Sequence, residues 1–180
     1  MIVQPALALA RRPLLSFVAA VAVAETLSEV TSLDARLKWP NDVLVGGRKI
    51  AGILLEARGG DTVVIGIGVN VMQSRFPAEL SGLATSVLRE TGRGVDRDLL
   101  LDTLIRRFDV WRQQLEGHGF EPLRARWTTL AHGIGAEVRV GSRTGIALGL
   151  DEDGALLLRD EFGTHRVVAG TVETGLAGGN

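Results

Sequence analysis

Between Leu33 and Val71 the chain reads as a series of apolar runs broken by turns, and this stretch constrains the fold more than any other. Leu33 to Trp39 has strand character and is stopped by Pro40, which has no amide hydrogen to give to a ladder. Val43-Leu44-Val45 and Ile50 to Ala57 flank Gly46-Gly47-Arg48-Lys49, and a Gly-Gly dipeptide between two apolar runs signals a hairpin. A second turn, Arg58-Gly59-Gly60-Asp61, leads into Thr62 to Val71. The expectation is a meander of three or four antiparallel strands.

The last of these strands separates into two faces. Val63, Ile65, Ile67, Val69 and Val71 point to one side, and Val64, Gly66, Gly68 and Asn70 to the other, because side chains alternate along a strand. The first set is an aliphatic row suited to a covering helix. The second is nearly bare and ends in an amide. Glycine weakens a strand interior, so two on one face mark either a close approach of ligand or backbone, or a bulge or tight helix contact.

The same stretch holds both lysines of the chain, Lys38 and Lys49, and two of its three asparagines. The remaining 18 of the 20 basic residues are arginines. Lysine is a compact point charge able to follow a moving negative charge, whereas arginine is a planar fork. Lys38 follows its strand onto the glycine-lined face, while Lys49 sits at a hairpin where solvent is the default.

Around this centre the remaining elements are simpler. Residues 1–10 read as a strand or extended entry, and Pro13 to Val30 as a helix with Pro13 in its first turn. Ala19, Ala20, Ala22 and Ala24 let that helix pack closely on a sheet. Its apolar run, Leu14 to Ala24, follows Arg11-Arg12 like a signal sequence, but is too short to span a bilayer and meets Glu25 at once. A core helix accounts for the same residues. Gln73 to Gly94 is loop with a helical turn near Leu88. Asp96 to Gly117 is an amphipathic helix with Leu99, Leu100, Leu104, Phe108, Trp111 and Leu115 on its apolar stripe, and Phe120 to Leu130 is a further helix.

Near Gly133 the pattern changes to short strands: Ala136 to Val140, Thr144 to Leu150, Ala155 to Arg159 and His165 to Val168. Four or five such strands suggest a small barrel-like module, which docks on the first part because it is too small to bury a core of its own. The tail from Gly175 to Asn180 reads as frayed. The division is therefore 1–132 and 133–180.

Composition excludes several classes. A net charge of −1 gives no footprint for sequence-independent nucleic-acid binding. The absence of cysteine removes disulfides and thiolate chemistry and points to a cytoplasmic protein. Three scattered histidines (His118, His132, His165) argue against zinc. The chain contains no Walker loop, GxGxxG or HExxH.

Lys38-Trp39-Pro40-Asn41-Asp42, Arg48-Lys49-Ile50-Ala51-Gly52-Ile53-Leu54 and Gly66-Ile67-Gly68-Val69-Asn70, at these spacings, resemble the central block of biotin protein ligases. Gly154-Ala155-Leu156-Leu157-Leu158 and Ala169-Gly170 resemble the small domain that ends those enzymes. The resemblance covers nearly the whole chain. It implies an α+β fold: an incomplete catalytic domain related to class II aminoacyl-tRNA synthetases, mainly antiparallel sheet with helices, followed by a small SH3-like β-barrel. It also implies a reaction in which biotin and MgATP give biotinyl-5′-AMP, from which biotin passes to a lysine of a biotin carboxyl carrier protein. Lys38 matches the motif lysine that meets biotin's carboxylate and the activated acyl-phosphate. Asn70 matches a position near adenine, and Gly52, Gly66 and Gly68 let ligand lie against the sheet. Trp39 and Pro40 shape the turn. Asn41 and Asp42 cap it, with a metal role as the alternative for this pair. A homodimer is compatible with the resemblance, and neither nucleic acid nor membrane is an expected partner. The KWPND and GxGxN combination disfavours a lipoate ligase.

One departure stands out. Family members carry a Ser/Thr-Thr-Asn element and a GRGRxGR loop upstream of the segment matching Pro13, and neither sequence occurs here. Arg11 and Arg12 lack the glycines that let backbone amides reach a phosphate. The expectation is an N-terminally truncated ligase with poor activity as it stands, and without the regulatory DNA-binding domain of some members. The alternative is a non-catalytic biotin-binding or dimerisation module.

Overall fold

The expected meander forms in full. In a computed structural model, which describes residues 1–57 and 60–174, β2 (Ala35–Lys38), β3 (Asp42–Val45), β4 (Arg48–Ala57) and β5 (Val63–Val69) are consecutive antiparallel neighbours. Arg58 and Gly59 of the second expected turn, and the tail at 175–180, lie outside the described residues. The N-terminal stretch contributes only β1 (Ile2–Val3), which pairs with Val63 and Val64 at the outer edge of β5. The rest of the expected entry strand is shortened because Leu9–Leu14 winds into a 3-10 turn that contains Pro13.

The covering helix α1 (Leu15–Thr31) starts just after that turn, later than Pro13 itself. Its alanines at 19, 20, 22 and 24 are at most 2% exposed, which lets it sit close to the sheet. The segment Leu9–Thr31 is long and apolar enough to span a membrane by composition. In this fold α1 is instead a core helix, lying against β2, β4 and the long helix α3 (Arg97–His118). A short helix α2 (Val87–Thr91) occupies the helical turn expected near Leu88, and α4 (Glu121–Leu130) the further helix.

The α3 stripe is narrower than its periodicity implied. Leu100, Leu104, Phe108 and Leu115 are buried, but Leu99 is 53% exposed. Leu99 lies one position, about 100°, off the Leu100 side of the helix. Glu25 of α1 ties the helices together: it accepts from Trp111 Nε1 (3.0 Å) and Arg126 Nε (2.8 Å).

The C-terminal strands β6 (Glu137–Val140), β7 (Arg143–Leu150), β8 (Leu156–Asp160), β9 (Gly163–Val167) and β10 (Val172–Thr174) form a second five-stranded antiparallel sheet in the order β10-β6-β7-β8-β9. The fold is thus α+β with two antiparallel sheets. Strand β10 was not individually expected, because three residues are too few to show a period.

This second module shares one hydrophobic core with the first: Val138, Ala147, Leu150, Leu156 and Leu158 belong to the same cluster as α1 and the first sheet. Specific bonds fix the docking. Trp39 Nε1 donates to the Gly154 carbonyl across 3.1 Å and Arg124 Nη1 to the Leu150 carbonyl across 3.2 Å. Phe17 meets Phe120 and Trp127 at ring distances of 5.5 and 5.9 Å. These aromatics are core, as expected.

Candidate functional site

The two faces of β5 behave as the alternation requires. Val63 and Ile65 are at most 1% exposed beneath α1, whereas Gly66 and Gly68 are exposed on the opposite face. Cross-strand register carries that open face across the sheet. Lys38 pairs with Asp42, Asp42 with Gly52, and Gly52 with Gly68, so these four residues form one transverse row. Gly66 stands one step along, opposite Leu54. The structure therefore brings together four of the five residues singled out from the sequence (Lys38, Gly52, Gly66 and Gly68), with Asn70 at the end of β5.

The glycines are not filling a tight space. Among the described residues, a methyl group added at Gly68 would meet nothing within 4 Å, and one at Gly66 would only reach ordinary contact with Leu54 at 3.6 Å. A close helix contact therefore does not account for them. What they produce is a flat floor bordered by Lys38 and Asp42.

Lys49 is exposed, as expected of a hairpin lysine, but its ammonium is not free. Its side chain is 48% exposed, yet its ammonium folds back and pairs with Asp42 Oδ1. A methyl at Gly52 would stand 3.1 Å from Lys49 Cε and 3.2 Å from Nζ, so the ammonium lies directly over the glycine floor. The cause is a β-bulge. Between the pairs Val43↔Ala51 and Leu44↔Lys49, β4 contains one more residue than β3, namely Ile50. One inserted residue exchanges the faces of everything beyond it. Plain alternation sets Lys49 opposite to Gly52; the bulge puts both on the same face. The only sequence sign was the polar Arg48-Lys49 pair beside a Gly-Gly turn, which does not reveal an inserted residue.

The surrounding backbone holds this geometry. Asn41 brackets β4 with two bonds: its amide Nδ2 donates to the Ile53 carbonyl (2.8 Å) and its carbonyl accepts from the Ile53 amide (2.9 Å). Asn41 thus pins the turn, as expected of a cap, and Asp42 is left for Lys49. Asn70 anchors the following segment. Its Nδ2 donates to the Thr85 carbonyl (3.0 Å) and its carbonyl accepts from the Val87 amide (3.0 Å). Thr85 in turn donates to the Lys49 carbonyl (2.9 Å) through its amide. Arg48 reaches Glu90 Oε1 at 2.7 Å, fixing the hairpin that carries Lys49. Arg12 faces inward, donating to the Gly60 carbonyl (2.7 Å) and to Asp61 (2.6 Å). A longer contact runs from its Nε to the Leu7 carbonyl (3.5 Å). Separately, a cavity of about 690 Å³ lies at the junction of the two modules, with Phe17, Trp39, Pro40, Leu55 and Arg166 among its walls.

A family model described as the biotin/lipoate A/B protein ligase family matches residues 2–70, and one described as the biotin protein ligase C terminal domain matches residues 133–175. The biotin--[acetyl-CoA-carboxylase] ligase of Paracoccus denitrificans is 41% identical over 171 residues, covering 88% of this chain and 71% of that protein. The chain belongs to the biotin protein ligase family. The bifunctional ligase/repressor BirA of Bacillus subtilis is 35% identical and matches 97% of this chain, but this biotin protein ligase family member spans only 57% of that relative's length. Among solved structures, the Aquifex aeolicus biotin protein ligase in complex with biotin and ATP superposes with a TM-score of 0.87 at 29% identity, covering 96% of this chain and 75% of that one.

Proposed function

We propose that the Lys38–Asp42–Gly52–Gly68 row is the floor of an adenylating site. On this reading the chain serves a biotin protein ligase that joins biotin to AMP from ATP and passes it to a lysine of a biotin carboxyl carrier protein. The observation that carries the reading is the Lys49 ammonium, held by Asp42 over a surface cleared of side chains. In adenylation a carboxylate oxygen attacks the α-phosphorus and pyrophosphate leaves, so negative charge concentrates on the carboxylate and the α-phosphate oxygens. An ammonium fixed in advance stabilises that charge, and removing such a donor typically lowers the rate by about 10²–10³-fold. Lys49 supplies the charge over the floor, and Lys38 a second charge at its rim. Gly52, Gly66 and Gly68 admit the ligand to the backbone, and Asn70 positions the 85–87 segment at the adenine end. Magnesium would come with the nucleotide, held by its phosphates and by water. Asp42, the carboxylate of this row, would be the side chain to join them, in exchange for part of its pairing with Lys49.

The protein works in the cytoplasm on this reading, where both substrates and the carrier are made. Its homodimer, if formed, has a natural seam at β1, a sheet edge on which Ile2 is 74% exposed. A second reading, binding without turnover by these 180 residues, is separated from the first by whether pyrophosphate is released.

Calorimetry with biotin, lipoate and a non-reactive biotinyl-adenylate analogue, followed by biotin-dependent pyrophosphate release, tests both readings. The analogue binds more tightly than biotin, lipoate does not compete, and release is slow or absent. Lys49→Met weakens analogue binding more than Lys38→Met. A chain that binds neither biotin nor the analogue, or that prefers lipoate, overturns the assignment.

A further inference from the structure

The turn that separates Lys38 from Asp42 is also where the C-terminal module takes hold of the first sheet. Trp39 is 4% exposed, and its indole N–H donates to the carbonyl of Gly154, 115 residues away. That carbonyl has little freedom. Asp151 Oδ1 accepts from the amides of Asp153 and Ala155, each at 2.9 Å, and Arg166 pairs with Asp151 and, at 3.0 Å, with Asp153. On its other side Gly154 is wedged against α1 and the 3-10 turn before it: an added methyl would stand 2.5 Å from Phe17 Cε2 and 3.3 Å from Leu14 Cδ2. The acceptor for Trp39 is therefore held by the module's own ion pairs and by helix packing together.

On the near side, Trp39 follows Lys38 directly and precedes Asp42 by three residues, and Lys38 and Asp42 are cross-strand partners closing the turn. Asp42 holds Lys49. A displacement of the indole passes through three residues of turn into the carboxylate that places the ammonium. A buried indole N–H takes a partner wherever it sits; here that partner is a carbonyl of the C-terminal module, so the bond ties the turn to that module.

We propose that Trp39 is a positioning residue, through which the C-terminal module sets the Asp42–Lys49 pair over Gly52. The proposal rests on the reading of this floor as the adenylating site. It gives the second sheet a role in the chemistry that contact with substrate does not require.

The test exploits the two lysines. Lysine labelled with carbon-13 at Cε gives side-chain signals from Lys38 and Lys49 alone. In the unaltered chain, Asp42→Asn moves the Lys49 signal. In a Trp39→Phe background the Lys49 signal has already moved toward that of an exposed lysine, and Asp42→Asn shifts it little further; this non-additivity is the signature of coupling. Affinity for the biotinyl-adenylate analogue falls by about tenfold, the scale of one lost hydrogen bond. An unmoved Lys49 signal with a full Asp42→Asn response, in a Trp39→Phe protein of normal melting behaviour, overturns the proposal. Asp151→Asn loosens the same carbonyl from outside the core. It produces the same shift in smaller measure, and decides the matter if Trp39→Phe does not fold. The lysine signals report the coupling whether or not ligand binds, so failure of the analogue to bind the unaltered chain counts against the ligand reading alone.

Discussion

Lys49 lies across Gly52 so closely that a methyl group on Gly52 would stand 3.1 Å from its Cε. Because the obstructing atoms are the far end of a flexible side chain, Gly52→Ala is accommodated by moving the ammonium and not the backbone. The variant folds with a melting temperature within a few degrees of the parent's. It binds the biotinyl-adenylate analogue at least about tenfold more weakly, because the fixed charge is displaced. Calorimetry beside a thermal melt separates the two effects. Unchanged affinity places the ammonium outside the site.

Asp151 makes the docking turn sensitive to acid. Partial burial pushes its pKa up, but the Arg166 hydrogen bond and the amides of Ala155 and Asp153 outweigh this and hold it below the ordinary 3.8. A group with a depressed folded pKa contributes stability above its unfolded pKa and loses it as pH falls through the folded value. The parent chain thus loses this contribution only below about pH 4. Asp151→Asn lacks it at every pH and shows a shallower decline in urea midpoint between about pH 5 and pH 2. An identical acid slope in the variant removes Asp151 from the turn's support.

Glu25 is a stability determinant far from the floor. Its carboxylate, 11% exposed, serves the Trp111 indole and Arg126 and lies 3.5 Å from Arg107. Glu25→Ala leaves the Trp111 indole and the Arg126 Nε without this acceptor, while Arg107 keeps Glu29, and costs about 1–2 kcal/mol. Glu25→Gln, which keeps an acceptor oxygen, costs less. Denaturant midpoints at constant slope measure the difference. Equal midpoints for parent and alanine variant show the network to be energetically idle.

Much of the fold was legible because it follows from local rules. The meander came from apolar runs and their Gly and Pro punctuation, and Gly66 and Gly68 shared an open face because alternation is a property of any strand. Helix α3 came from a three- and four-residue repeat, yet the repeat could not tell that Leu99 lies beyond the edge of the contact. The strand β10 was not legible: three residues carry no period, and it exists only because β6 offers an edge to pair with.

By itself, then, the sequence determined that Gly66 and Gly68 share an open face, through strand alternation, whereas cross-strand register put Lys38 and Gly52 in line with it. Only the tertiary structure decided which ammonium stands over it and what steadies the turn beneath. Lys49 changes face because β4 carries one more residue than β3 at Ile50, a mismatch between two strands that neither strand reveals alone. Trp39 meets Gly154 because two sheets share one core, and a bond across 115 residues has no local signal to read.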